Sequence, residues 1–186
     1  MTPREAALDV LIQIDPSQKV AAMAQLWSMA NTHPWKSDEL SQRIHSTHAD
    51  AVCQVPGRPI RPQLVAPGAV PTRSPFTVEG RAALIHAICH IEFNAINLAL
   101  DAVWRYPNMP ESYYTDWLRV AFEESTHFAM LRAHLQQMPH PTGDAWDYGD
   151  FTAHDGLWAM CEKTADDITA RMALVPRTLE ARGLDA

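Results

Sequence analysis

Apolar positions recur at helical spacing over two long stretches of this chain. The first runs from Val78 to Tyr106, with Thr77 placed to cap it and Pro107 to end it; the second runs from Glu111 to Met138 and is stopped by Pro139. The connection between them, Pro107 to Pro110, is short enough to make the two helices antiparallel neighbours. After a longer connection over 139–153, Thr152 and Asp155 resemble a capping box. They predict a third helix carried through Leu157, Ile168 and Leu179 almost to the last residue. Near the N-terminus, Thr2-Pro3-Arg4-Glu5 combines a cap, a proline at the first helical position and a capping-box acid; Asp15-Pro16-Ser17-Gln18 repeats the idea. Short helices are expected over 3–14 and 16–30. Six prolines between Pro56 and Pro75 remove backbone donors and fix φ, which excludes a regular helix or central strand and predicts an extended arm or linker. No segment sustains β alternation and no internal repeat is present, so the fold class is all-α. The chain divides into N-terminal helices and a Pro-rich arm over 1–76 and a helical domain over 77–186.

Composition narrows the classes of function. With 186 residues and 47% hydrophobic content the chain can bury a core as one domain, or one domain with an arm. Its 22 acidic and 15 basic side chains leave a formal charge of −7, which gives a phosphate-binding surface little support and argues against nucleic acid as a general partner. Cys53, Cys89 and Cys161 lie far apart without a CxxC pair, a usage that suits a reducing, cytoplasmic setting. Arg4, Glu5 and Asp9 interrupt the start where a secretory signal needs an apolar run. His86, His90, Glu92, Asn94, Asn97 and Asp101 interrupt the most apolar stretch, so no membrane span is expected.

Three polar residues occupy apolar positions. Glu92 has Ile88, Ile91, Ala95, Ile96 and Ala99 around it on the helical wheel, and Glu124 is lined up with Trp117, Val120, Ala121, Phe128 and Leu131, with His127 one turn on. Glu123, by contrast, shares a face with Asp116 and Arg119 and reads as a solvated acid. Inward acids need buried hydrogen bonds, a salt bridge from Arg105 or Arg119, or a cation held between the helices. Glu92 and Glu124 each fall near the middle of their helix, so antiparallel packing brings them to one level, facing each other. A divalent metal would turn their repulsion into binding. Ferritin-like dimetal bundles take one Glu from each of two helices and an ExxH from each of the other two, and these two helices supply half of that pattern.

Other clusters carry weaker signals. His86 and His90, at i and i+4, share a stripe with Asn97 and Asp101 away from Glu92, and that stripe is expected to be an exposed or interface face. His45 and His48 lack an acidic or thiol partner nearby and read as surface residues. Asp155 reads as a helix-start residue, and His154 has no role assignable from spacing. Cys89 and Cys161 read as core fillers, and Trp27, Trp35, Trp104, Trp117, Trp146 and Trp158 as packing anchors. No Gly-rich phosphate loop, GxSxG elbow or HExxH is present.

The segments HAICHIEFNAINLALDAVW (86–104), FEESTHFAMLRAHL (122–135), YGDFTAHDGLWAM (148–160) and MALVPRTLEARGLDA (172–186) resemble the ferritin-like family called domain of unknown function 455. GRPIRPQLVAPGAVPTRS (57–74) resembles the lead-in of that family, so the likeness covers nearly the whole chain. The resemblance implies a four-helix, ferritin-like bundle with a dimetal centre of iron (two ions) or manganese, in a family whose reaction is unassigned. It implies Glu92, Glu124 and His127 as ligands, and Glu180, within LEARG, as the acid of the third bundle helix; that motif also resembles one in the ferritin-like tRNA hydroxylases. Glu162 competes with Glu180, since on one straight helix the two share a face about 27 Å apart, with Pro176 expected to kink the helix between them. In the family a fourth helix carries the second ExxH, whereas this sequence ends at Ala186. The expectation is therefore an incomplete site and an uncovered apolar seam, met by self-association or by another chain that completes the bundle.

Three functions fit these expectations. The first is an O2-dependent dimetal oxidase or monooxygenase acting on an unknown small-molecule substrate, the second a metal-handling protein without organic substrate, and the third a non-catalytic helical interaction module.

Overall fold

The computed structural model describes residues 2–32 and 55–175. Trp35, His45, His48, Cys53, Pro176, Leu179 and Glu180 lie outside them. The all-α expectation is met: six helices form the described fold, α1 (Pro3–Leu11), α2 (Pro16–Thr32), α3 (Val78–Arg105), α4 (Glu111–Gln137), α5 (Gly156–Lys163) and α6 (Ile168–Leu174), with one 3-10 turn over Pro67–Ala69. α3 and α4 form the central hairpin, α1 lies on α3, and α2 lies on α4. One buried cluster joins all four, with Leu8, Leu11, Met23, Leu26, Ile96, Leu100, Leu118 and Phe128 at its centre.

Local chemistry explains the helix ends. Thr2 and Glu5 close the capping box read from the sequence: the Thr2 hydroxyl accepts from the Glu5 amide at 3.2 Å, and the Glu5 carboxylate accepts from the Thr2 amide at 2.8 Å. Arg4 donates to the Trp104 carbonyl at 2.9 Å, satisfying the C-terminal end of α3. α1 stops at Leu11, earlier than the expected residue 14, where its last carbonyl is taken over by other parts of the chain. The Leu11 carbonyl receives the Gly57 amide at 2.9 Å and the Lys19 ammonium at 2.9 Å. Gly57 is required at this crossing, where a Cβ would stand 2.2 Å from the Ile12 carbonyl oxygen.

Lys19 is fully buried, and its Nζ also donates to the Gly57 carbonyl at 3.3 Å and to Asn97 Oδ1 at 2.5 Å while lying 5.0 Å from the Phe93 ring centroid. Burial, with Arg58 nearby, pulls the amine down to about 7. Three acceptor oxygens matched to the three N–H groups of an ammonium act in the opposite sense and favour the charged form.

The Pro-rich segment is an arm laid on α3. It is held by a two-bond bridge, in which the Val65 amide donates to the Ala153 carbonyl at 2.9 Å and the Ala153 amide to the Gln63 carbonyl at 3.0 Å. The arm and the 146–155 connection cover His86, His90, Asn94 and Asn97 of the stripe, and Arg105 and Arg171 cover Asp101; all but the half-buried His90 are buried. Of the two alternatives expected for the stripe, exposed or interface, the exposed one is corrected: it packs against the chain's own segments. α3 is long and apolar enough to cross a membrane, but half of that apolar window is buried within the protein, and its polar stripe packs against protein groups.

The expected single third helix is broken. α5 ends where the Thr164 hydroxyl turns back to the Met160 carbonyl at 2.9 Å, and α6 restarts from Asp167, whose carboxylate accepts from the Thr169 and Ala170 amides. Arg171, fully buried, fills the corner. It pairs with Asp101 and donates to the Thr164 hydroxyl at 2.8 Å and the Cys161 carbonyl at 2.7 Å. The capping box expected of Thr152 and Asp155 is also absent: Asp155 starts α5 by position, but its carboxylate accepts from Arg58 at 2.6 Å.

His86 stacks on Tyr148, and its Nε2 accepts the Gly149 amide at 2.9 Å, a role only the neutral ring can fill. Gly149 has a φ of 112°, and a Cβ there would meet Arg61 Cβ at 2.7 Å. Burial first, then the neighbouring His90, pull His86 from 6.5 down to about 4, against weaker raising influences from Asp150 and Asp147.

Two predictions follow from these contacts. Lys19→Met strands two buried acceptors, the Gly57 carbonyl and Asn97 Oδ1, and removes the second donor of the Leu11 carbonyl; it is expected to cost roughly 3–5 kcal/mol in urea unfolding. For His86, the unfolded chain takes up the proton first as pH falls, so the stability fully present above pH 6.5 is lost as pH drops toward 4. The expected loss is up to about 3 kcal/mol, and His86→Phe should flatten the stability-pH curve across that window.

Candidate functional site

The α3–α4 hairpin brings Glu92, Glu124 and His127 together. One ligand atom from each lies within 4.8 Å of the others. His127 Nδ1 is 3.0 Å from Glu124 Oε2 and 3.9 Å from Glu92 Oε2. Glu124 and His127 meet because residues three apart are neighbours on a helix, and Glu92 meets them because it sits at the same level on the antiparallel partner. Of the alternatives open at the sequence level, Arg105 is engaged with Asp101 at 2.6 Å and Arg119 with Asp116 at 3.1 Å. Ser125 and Thr126, beside Glu124, bond back to the Phe122 carbonyl.

The burial of the cluster differs from a dry interior site. The glutamate side chains are 20% and 23% exposed, but His127 is 50% exposed, so the group opens to solvent along α4. Leu84 and Ile91 of α3 and Met130 of α4 are also half or more exposed. Glu123 is exposed, as its neighbours implied. Glu162 is exposed and accepts from Trp158 Nε1 at 3.0 Å; it is not part of the cluster. Glu180 lies outside the described residues.

Two carboxylates and an imidazole suit a divalent transition metal. Bonds of about 2.0–2.2 Å place opposite donors about 4 Å apart, so the cluster needs only a small inward adjustment of its side chains. The cysteines stand apart from this chemistry: Cys89 and Cys161 are fully buried, and burial pushes each thiol up to about 12, which removes nucleophilic character.

The opposite side of α3 holds a second feature. A cavity of about 330 Å³ lies between the arm and the buried stripe, with His90, Phe93, Asn94, Asn97 and Tyr148 in its wall. His90 Nε2 is 3.0 Å from the His154 carbonyl and Nδ1 is 2.9 Å from the Tyr148 hydroxyl; burial lowers the histidine and raises the phenol. Sequence reasoning missed Asn94, Asn97 and Tyr148. The available signal was a continuous polar stripe on the most apolar helix, preceded by a proline arm able to cover it.

No solved structure matches this chain. An uncharacterized protein of Haemophilus influenzae is 56% identical over 135 residues, a match that covers 69% of this chain and 45% of that relative. The chain thus matches less than half the length of that relative. The family model described as "Protein of unknown function (DUF455)" matches residues 12–186, and the chain belongs to that family.

Proposed function

We propose that this protein binds a divalent transition metal, iron or manganese, through Glu92, Glu124 and His127, as part of a ferritin-like dimetal carboxylate centre to which Glu180 contributes. The observation that carries the reading is the meeting of two carboxylates and one imidazole from two antiparallel helices within 4.8 Å. Acids and imidazole together suit borderline metals, and the proximity of like charges, unfavourable by itself, becomes favourable around a cation. When bound, a metal pair of this kind supplies electrons to dioxygen, which makes an oxidase or monooxygenase acting on a small molecule the leading activity. In that role Glu92 and Glu124 would hold negative charge at the metal, and His127 would supply a nitrogen donor beside them.

A metal-handling protein without organic substrate is the second reading. The 50% exposure of His127 favours it, since an open ligand eases metal exchange.

Anaerobic loading with Fe2+ or Mn2+ tests the metal claim. At a hundredfold excess over Kd, binding is expected to stabilise the fold by about 2.7 kcal/mol, roughly a 5–10 °C rise in melting temperature. Glu124→Ala should abolish both the rise and the bound metal measured by elemental analysis. An unchanged melting curve with no retained metal would refute the proposal. Dioxygen uptake beyond the metal stoichiometry on addition of metabolites would separate the oxidase from the metal handler.

A further inference from the structure

The cavity between the arm and α3 is built from side chains whose hydrogen-bonding sense is determined by their partners. Asn97 is 2% exposed, and its Oδ1 accepts from Lys19, which has only N–H groups to offer. Its Nδ2 therefore faces away from Lys19, and this pair of N–H donors has no hydrogen-bond partner among the described residues. Asn94 is 5% exposed, and its Nδ2 donates at 2.9 Å to the His90 backbone carbonyl, which can only accept. Its Oδ1 in turn has no donor among the described residues. Both asparagines line the cavity. One helical turn separates them, so their Cβ atoms stand about 5–6 Å apart and an unmatched donor and an unmatched acceptor share one wall.

The rest of the wall carries no unpaired charge: Gln63 and Tyr148 are uncharged, and His90 is engaged by Tyr148 and the His154 carbonyl. Phe93, Ile60, Leu64 and proline rings supply hydrocarbon, and the charge of Arg58 is balanced by Asp155 at 2.6 Å. These two amide groups open into the cavity, where a ligand that offers both a carbonyl and an N–H matches them. We infer that this cavity binds a small uncharged cyclic ligand bearing a carboxamide or lactam, its carbonyl accepting from Asn97 Nδ2 and its N–H donating to Asn94 Oδ1. His90 and Glu92 point about 200° apart around α3, so this site is separate from the carboxylate cluster and does not depend on metal.

Benzamide is a suitable probe, followed through the side-chain NH2 resonances of the 15N-labelled protein without added metal. Methyl benzoate, which keeps the ring and carbonyl but lacks an N–H, is the comparison. Benzamide is expected to shift the Asn97 NH2 signals saturably and to bind at least tenfold more tightly than methyl benzoate. Asn97→Asp keeps an oxygen for Lys19 but replaces the cavity donor with an acceptor. It is expected to weaken benzamide binding at least tenfold with the melting temperature largely retained. The absence of a saturable shift, equal affinity for the two probes, or undiminished binding by a folded Asn97→Asp protein would each overturn the assignment. Should that variant fail to fold, the comparison of the two probes on the wild-type protein decides it.

Discussion

A single buried ammonium ties the N-terminal half of this protein to its central helix. Lys19 reaches the end of α1, the arm at Gly57 and Asn97 of α3, so four segments converge on three N–H bonds. The Gly57 carbonyl and Asn97 Oδ1 would be buried unmatched acceptors without it, and the ammonium would be a buried unmatched charge without its acceptors. The early end of α1, the glycine at the crossing and the course of the arm follow from this mutual requirement. So does the orientation of the Asn97 amide, which decides what the neighbouring cavity can recognise.

The central helix α3 carries two chemistries on opposite sides. Toward α4 it presents Glu92, and the hairpin places Glu124 and His127 beside it. Toward the arm it presents His90, Asn94 and Asn97, closed over by residues 56–64 and by Tyr148. Helical geometry keeps the two apart: residues two positions apart cannot share a face. Acid clustering on one side and neutral amides on the other suit the two different ligands proposed for them, one inorganic and one organic.

Lower on α3, Asp101 anchors a third arrangement. It is fully buried and pairs with both Arg105 and Arg171. Arg171 can reach Asp101 only because the chain breaks between α5 and α6, and the carbonyl of Cys161 and the hydroxyl of Thr164 complete its bonds. A continuous helix would carry Arg171 past this corner. The break therefore serves an ion pair that connects residues distant in sequence, and local propensity alone gives little sign of it.

The sequence by itself determined what repeats at short range: the helical period of α3 and α4, their proline stops, the capping box at Thr2, the extended proline arm and the anomalous polarity of Glu92, Glu124 and His127. Each depends on neighbours within a few residues, or on two helices joined by a loop too short to permit another arrangement. Only the tertiary structure decided which polar stripe is covered. His86, Asn94 and Asn97 look like a wet face until the arm and the 146–155 connection are laid across them, and Asp101 until Arg171 reaches it, because burial by a distant segment leaves no periodic mark. For the same reason the break after Lys163, the diversion of Asp155 to Arg58 and the outward opening at His127 had to be seen in three dimensions: each is set by a partner dozens of residues away, or by the absence of cover above it among the described residues.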